Sequence, residues 1–258
     1  MRLGVIDWGI GGMGLVAALG PDRDVTYLSD AGVTPYGLME ADALSARLSD
    51  LCGFLVSEGV ERVALACNAA SSVLAQVRAP VPVDGVLVAG ITASLRESGT
   101  IGVIGGRQTI RSDVYGRALR TAGRRVVQRV AQPLSALVER GVVSGPTVED
   151  AVVEIFDALG SVDVLLMGCT HYPALSSIFS RLRPGWVLVD PVAELAGALR
   201  PVVGPGRLRT FTSGDPGATR FSAFNAWGVD SGEVVRFRLP PASRSSGRPG
   251  STVRRSGR

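Results

Sequence analysis

Two of the three cysteines lie where a thiol can act as an acid or a base. Cys67 directly follows the apolar run 63–66, and Cys169 follows the apolar run 164–167 after one glycine. A thiol between a buried strand and the start of a helix lies among free backbone N–H groups at the positive end of the helix dipole, which lowers its pKa from about 8.5. We therefore predict two activated thiols, whereas Cys52, within a helical pattern, is expected to be a buried hydrophobe.

The elements that must position these thiols alternate along the chain. Short apolar runs predict buried strands at 3–6, 25–28, 63–66, 101–104, 164–167 and 187–189. Longer amphipathic stretches predict helices at 41–57, 111–122, 147–159 and 192–200. This alternation is typical of a doubly wound α/β protein with mostly parallel sheets.

An internal repeat divides the chain into two related lobes. The sequence Leu-Gly-Val-Ile at 3–6 returns as Ile-Gly-Val-Ile at 101–104, and the strand before Cys67 returns before Cys169. Each lobe then carries one cysteine at the carboxyl end of a strand, where open α/β sheets bind ligands. We predict a first lobe of 1–92 with 206–240, a second lobe of 93–205, and an active site in the cleft between them.

The net charge of +4 originates in the carboxyl-terminal end. Residues 241–258 are rich in serine and glycine, lack acidic residues, and carry Arg244, Arg248, Arg254, Arg255 and Arg258. We interpret this segment as a disordered tail and expect no nucleic-acid partner. The 27 basic residues are all arginine, which excludes a Schiff-base lysine and a P-loop lysine.

The remaining composition favours a cytoplasmic enzyme with free thiols. No apolar run approaches the roughly 18 residues of a membrane span, and Asp7 interrupts the apolar amino-terminal segment. Three cysteines without zinc-ligand spacing predict neither a disulfide framework nor a metal site. We expect no membrane partner.

The glycines after the first strand permit a competing interpretation. Gly9, Gly11 and Gly14 fit the spacing G-x-G-x-x-G, and Asp30 ends the next strand where a ribose-binding acid would stand. A dinucleotide-binding oxidoreductase is therefore one alternative. Asp7 opposes it, because a carboxylate at the mouth of that turn repels a pyrophosphate, and the glycines suit any anionic ligand at a helix start.

Taken in order, the motifs resemble those of the glutamate racemases in the aspartate/glutamate racemase superfamily. The resemblance covers about residues 3–238 and is closest in the second cysteine motif, Gly-Cys-Thr-His-Tyr-Pro at 168–173. The other matching segments are the opening strand and glycine turn 3–14, the loop 30–37, the first cysteine motif 66–71, residues 109–112 with Tyr115, the acidic segment 133–141, Asp190-Pro191, and 211–216.

The resemblance implies a cofactor-independent amino-acid racemase that interconverts L- and D-glutamate and supplies D-glutamate for peptidoglycan. Cys67 would act on the D enantiomer and Cys169 on the L enantiomer, from opposite faces of the α-carbon. Proton removal from carbon needs such a base, an acid and a dry pocket. The family's other catalytic and supporting residues match Asp7, His171, Glu139 and Asp30. For Asp30 and Glu139 a structural role is an equal alternative. The substrate contacts match Pro35, Tyr36, Gly37, Asn68, Thr109 and Thr170.

Departures from the family pattern stand at two further predicted substrate-binding positions, Trp8 and Ala69, and at Val33 beside them. Trp8 replaces a common serine, Ala69 a common threonine and Val33 a common arginine. Each lost hydrogen bond to a charged substrate group costs about 1.5–3 kcal/mol. Two alternatives therefore stay open: a superfamily isomerase acting on a different acidic substrate, and a catalytically silent protein that binds a ligand. The resemblance also implies a homodimer, although no sequence feature indicates the pairing surface.

Overall fold

The structure, a computed structural model, describes residues 1–199, 204 and 206–239. The predicted tail, 241–258, lies outside the described residues. Within the described part there are ten strands: β1 Leu3–Asp7, β2 Val25–Ser29, β3 Arg62–Leu65, β4 Val83–Gly85, β5 Ile101–Gly105, β6 Val126–Val130, β7 Val164–Gly168, β8 Val187–Val189, β9 Leu208–Thr212 and β10 Val234–Arg236.

Helices connect these strands and cover both faces of the sheets. The α-helices of the described part are α1 Met13–Leu19, α2 Ala41–Ser57, α3 Asn68–Ser71, α4 Val86–Arg96, α5 Arg107–Arg111, α6 Val114–Thr121, α7 Gln132–Glu139, α8 Pro146–Leu159, α9 Ser176–Leu182, α10 Pro191–Ala198 and α11 Pro216–Trp227. Short 3₁₀ helices span Tyr36–Leu38, Leu74–Gln76 and Tyr172–Leu175. No helix of the described part is long and apolar enough to cross a membrane.

The strands form two parallel sheets with a shared topology. The first sheet has the order β10-β9-β2-β1-β3-β4, and the second has the order β6-β5-β7-β8. Every strand pair in both sheets is parallel. Four strands of the first sheet, in the order β2-β1-β3-β4, thus repeat as β6-β5-β7-β8, which confirms the prediction of two similar α/β lobes.

The repeated glycine has the same packing role in both lobes. A Cβ atom on Gly4 of β1 would lie 2.8 Å from Leu55 at the end of α2. A Cβ atom on Gly102 of β5 would lie 2.9 Å from Leu159 at the end of α8. Each glycine lets the end of a helix pack directly on the first strand of its sheet. The repeat therefore encodes helix–sheet packing.

Two predicted boundaries differ from the structure. The helix predicted at 111–122 is divided between α5 and α6, because Asp113 takes a left-handed conformation (φ 53°). The predicted lobe boundary between residues 92 and 93 falls inside α4, which packs against both α3 and α10. The division of the chain into lobes at these residues therefore stays a prediction.

Candidate active site

A cleft of about 470 Å³ lies where the carboxyl ends of strands from both sheets meet. Every predicted site residue except Asp30 lines it: Asp7, Trp8, Pro35, Tyr36, Gly37, Cys67, Asn68, Ala69, Thr109, Glu139, Cys169, Thr170 and His171. Cys67 enters from the end of β3 and Cys169 from the end of β7, which are equivalent strands of the repeat. The structure thus brings both thiols to one cavity.

Cys169 belongs to a hydrogen-bonded chain with a base and an acid. Its Sγ lies 3.6 Å from Nδ1 of His171, whose Nε2 lies 2.6 Å from Oε2 of Glu139. The same Glu139 oxygen accepts the backbone N–H of Ile10 at 3.0 Å. Burial acts to lower the pKa of His171, but the hydrogen bonds to Cys169 and Glu139 raise it well above its ordinary value. An imidazolium at this position stabilises a thiolate on Cys169.

Cys67 has the opposite environment. Burial, followed by the negative charge of Asp7, raises the pKa of the Cys67 thiol far above its ordinary value. Hydrogen bonds from the backbone N–H groups of Ala69 and Ala70 lower it by less. The predicted activation of Cys67 by a helix dipole is therefore wrong for the free protein, because α3 has only four residues and burial outweighs its dipole.

Cys52 has the buried location that the helical pattern predicts. It is fully buried inside the first lobe, and burial raises its pKa to about 11. Cys52, Cys67 and Cys169 are free thiols.

Asp7 lies at the end of β1 and contacts the second lobe. Its carboxylate accepts the hydroxyl of Thr170 at 2.8 Å and the backbone N–H of Gly9 at 3.3 Å. Asp7 is buried, and this burial raises its pKa despite the nearby charge of His171. The carboxylate therefore joins the two lobes beside Cys67.

The glycine turn serves the close approach of second-lobe side chains. A Cβ atom on Gly9 would lie 2.1 Å from Oε2 of Glu139, and one on Gly11 would lie 2.5 Å from Oγ1 of Thr170. Any side chain at either position would push the Glu139–His171 pair away from the cleft. The turn is thus already filled by protein groups at the place where a dinucleotide pyrophosphate would bind.

Several polar groups of the cleft are already occupied, whereas others are free for a ligand. Oδ1 of Asn68 accepts the hydroxyl of Tyr115 at 2.6 Å, but the buried Nδ2 of Asn68 has no hydrogen-bond partner within the described part of the chain. Trp8 donates its indole N–H to the carbonyl oxygen of Val33 at 3.0 Å, and Ala69 offers no polar side-chain atom. In the described residues the side-chain hydroxyl of Thr109 makes no hydrogen bond, although its backbone carbonyl accepts one from Ser112. Asn68 and Thr109 therefore remain as donors for a substrate.

Asp30 is the predicted site residue that the structure does not bring to the cleft. Its carboxylate is buried and accepts the hydroxyls of Tyr36 and Ser213, both at 2.8 Å. It also accepts two hydrogen bonds from Arg47, at 2.9 and 2.6 Å. The prediction of a catalytic Asp30 is corrected here: all four acceptor positions are used, so the carboxylate holds Tyr36 rather than the reacting atoms.

The cleft also contains residues that were not among the predicted site residues: Leu38, Gly106, Arg107, Gln108 and Gln132, and, from the matching segments 133–141 and 168–173, Ser135, Ala136, Arg140 and Gly168. Gln132, Ser135, Ala136 and Glu139 share one face of α7, at helical spacing. That helical spacing, counted back from the predicted Glu139, could have indicated in the sequence that these residues line the cleft. Arg107 and Arg140 are exposed and make no ion pair within the described part of the chain.

The side chains of the site are those of acid–base chemistry. Among residues 1–199, 204 and 206–239, no group of three or more histidine, cysteine, aspartate or glutamate side chains could hold a metal ion. Two thiols, an imidazole with a paired carboxylate and a second buried carboxylate converge on one cavity. Such an arrangement can remove a proton from one face of a carbon atom and deliver a proton to its other face.

Comparison with known proteins assigns the class. Residues 15–199 match the family Asp/Glu/Hydantoin racemase, and the chain belongs to that family. The predicted resemblance and the predicted enzyme class, an isomerase, are thereby confirmed, and the dinucleotide-binding interpretation is wrong.

Within the family, the similar proteins are glutamate racemases. The chain is 35% identical over 224 residues to the glutamate racemase of Aquifex aeolicus, covering 82% of this chain and 88% of that protein. It is also 35% identical over 229 residues to that of Desulforudis audaxviator, covering 84% and 83%. The structure of a glutamate racemase isoform from Bacillus anthracis superposes with a TM-score of 0.82 at 26% identity, covering 93% and 98%. The Thermus thermophilus glutamate racemase, in complex with β-chloro-D-alanine, gives 0.80 at 27% identity, covering 92% and 97%.

Proposed function

We propose that this protein interconverts L- and D-glutamate by a two-thiol mechanism and supplies D-glutamate for peptidoglycan in the cytoplasm. The observation that carries the proposal is the pair of unlike thiols on one cleft. Cys169 is paired with His171, whereas burial and Asp7 keep Cys67 protonated. Two-base racemisation needs one thiolate and one thiol at the same time. The free thiols and the names of the relatives support the cellular role.

In the L-to-D direction, Cys169 is the base. Its thiolate takes the α-proton, and the electron pair of the broken C–H bond moves into the substrate α-carboxylate. Cys67 then delivers its proton to the opposite face of the α-carbon and becomes a thiolate. In the reverse direction the roles exchange: the proton on Cys169 is shared with His171, and Asp7 assists Cys67.

The polar groups left free in the cleft suit an acidic amino acid. The unpartnered Nδ2 of Asn68 and the hydroxyl of Thr109 can donate hydrogen bonds to carboxylate oxygens. Beside them, the hydroxyl oxygen of Thr170 can still accept a hydrogen bond. The carboxyl group of Asp7 lines the cleft and can accept a hydrogen bond from the substrate ammonium group. Arg107, exposed at the cleft, attracts the anionic substrate.

One observation favours a second candidate, an isomerase of the same family acting on a less polar acid. Trp8 has its only donor engaged by Val33, and Ala69 has no polar side-chain atom. With Pro35 and Leu38 they give the first-lobe wall an apolar surface. A substrate with a shorter or uncharged side chain would lose less at this wall than glutamate.

The test is exchange of the α-proton in heavy water. The purified protein is incubated separately with L- and D-glutamate, and the α-proton is followed by NMR while optical rotation reports racemisation. We expect exchange with racemisation in the wild type and loss of racemisation in both Cys67→Ser and Cys169→Ser. In each variant, the enantiomer that still exchanges identifies the face served by the remaining thiol.

The other outcomes separate the alternatives. Exchange with a different acid but with neither glutamate enantiomer would establish the second candidate. Wild-type activity that survives either serine substitution would refute the two-thiol mechanism. Binding of glutamate without exchange of any acid tested would indicate a catalytically silent ligand-binding protein.

A further inference from the structure

We propose that Arg47 and Trp8 are positioning residues that fix the Pro35–Gly37 wall of the cleft and thereby set substrate affinity. This inference rests on the proposed function, because substrate affinity is read from turnover of glutamate. Arg47 lies on α2, outside the cleft, and acts through Asp30, whereas Trp8 lies in the cleft wall. Together they hold the loop that follows β2 from two sides.

The first point of attachment is the carboxylate of Asp30. Arg47 grips it with Nε and Nη2, at 2.9 and 2.6 Å, while the hydroxyl of Tyr36 donates to the same carboxylate at 2.8 Å. Ser213 donates at 2.8 Å and accepts the backbone N–H of Gly32 at 2.9 Å. One buried carboxylate therefore ties the start of the loop to Tyr36 at its end, and Arg47 forms an ion pair with it.

The second point of attachment is the indole of Trp8. Its Nε1 donates to the carbonyl oxygen of Val33 at 3.0 Å, midway along the loop, and both side chains pack against the hydrophobic core of the first lobe. Trp8 follows Asp7 directly in sequence. The bond thus fixes the distance between the turn that carries Asp7 and the loop that carries Tyr36.

The held segment is the part of the first lobe that faces the second lobe across the cleft. A Cβ atom on Gly37 would lie 3.6 Å from Cβ of Gln108, and the helix Tyr36–Leu38 packs against α5. Movement of this segment changes the width of the cleft next to Thr109, and neither thiol lies on the segment. Loosening the loop should therefore weaken substrate binding while the chemical step stays largely intact.

The experiment compares Arg47→Met, Arg47→Lys and Trp8→Phe with the wild type. We expect KM for glutamate to rise about tenfold in Arg47→Met and two- to fivefold in Trp8→Phe, as expected for lost hydrogen bonds, with kcat changed by less than about twofold. Arg47→Lys keeps the positive charge but cannot make the two parallel hydrogen bonds to Asp30, so its KM should lie between those of the wild type and Arg47→Met. The control is Arg62→Met, which removes a similar two-point pair with Asp84, at 2.7 and 3.1 Å, at the opposite end of the first sheet.

A second readout, the fluorescence emission of Trp8, does not depend on turnover. The emission of Trp8 is obtained by subtracting the spectrum of the Trp8→Phe counterpart from that of each protein. The subtraction removes the emission of Trp186 and Trp227, which lie outside the cleft lining. We expect a red shift in Arg47→Met and none in Arg62→Met. A wild type that does not turn over glutamate would refute the proposed function, and emission alone would then decide this inference. Unchanged KM and emission in Arg47→Met, or equal changes in Arg62→Met, would overturn it.

Discussion

Replacement of Glu139 by glutamine should weaken the base that serves Cys169. The carboxylate bonds Nε2 of His171 at 2.6 Å and also accepts the backbone N–H of Ile10. Glutamine is isosteric and can still accept one of these bonds, but it has no charge. The substitution therefore isolates the electrostatic contribution of Glu139 to the imidazolium of His171 and to the thiolate beside it.

The size of the effect follows from the environment of the pair. A hydrogen bond to a charged group contributes about 1.5–3 kcal/mol, against about 0.5–1.5 kcal/mol for a neutral one. The difference, about 1–1.5 kcal/mol, corresponds to roughly a five- to twelvefold loss of kcat/KM. Glu139 is 21% exposed and His171 only 7%, so solvent screens the interaction weakly. We expect a loss of roughly tenfold, with the pKa of His171 lowered toward its ordinary value.

His171 is the only histidine of the chain, so its imidazole protons give one unambiguous NMR titration. In the wild type, the titration midpoint should lie well above 6.5, and in Glu139→Gln it should be lower. Because the folded pKa is raised, the stability that His171 contributes is complete below pH 6.5 and is lost as the pH rises through the midpoint. A wild-type midpoint at or below 6.5, or an unchanged midpoint in the variant, would refute the reasoning.

Three further predictions test the surroundings of the pair. Gly9→Ala should lower kcat/KM at least as much as Glu139→Gln, because the new Cβ atom would displace Glu139. The control is Gly53→Ala on α2, where a Cβ atom meets open space. This variant should retain activity and stabilise the folded protein by about 0.5–1 kcal/mol. Thermal unfolding of the wild type should show that stability falls above pH 9, because Cys67 ionises there in the unfolded state but not in the folded state. Cys67→Ser should reduce this loss of stability. An equal loss in both proteins would contradict the raised pKa of Cys67. Added salt should lower kcat/KM, and Arg107→Gln should flatten this dependence; an unchanged slope would exclude steering by Arg107.

The sequence patterns predicted the interior strands β1, β2, β3, β5 and β7 and the edge strand β8, but they left out β4, β6, β9 and β10. Strands β1, β3, β5 and β7 are covered on both faces and therefore read as unbroken apolar runs. Strands β4, β6 and β10 lie at sheet edges with mixed exposure, so their apolar pattern is incomplete. At the break, Asp113 accepts hydrogen bonds from Arg120 and from Gln128 of β6, and the latter contact is not part of the helical pattern.

The same distinction separates the site residues. Residues that lie in short motifs at strand ends, such as Cys67 and His171, were predictable from the chain. Asp30 was misplaced because its partner Arg47 comes from another element, and the pairing is a property of the folded lobe. The low thiolate character of Cys67 was missed for a related reason. Local sequence indicates the helix that follows a thiol, but the burial of Cys67 and the approach of Asp7 depend on the tertiary structure.

The unequal thiols restrict what kinetics can show about this site. The two enantiomers of glutamate have equal free energies in water, so the equilibrium constant is one and kcat/KM must be equal in both directions for every variant. A change at Glu139, although its side chain bonds His171 on the Cys169 side, must change both values by the same factor. The unlike surroundings of Cys67 and Cys169 can therefore appear only as matched differences in kcat and KM between the enantiomers. It follows that steady-state ratios cannot assign a thiol to an enantiomer, whereas proton exchange in the single-serine variants can.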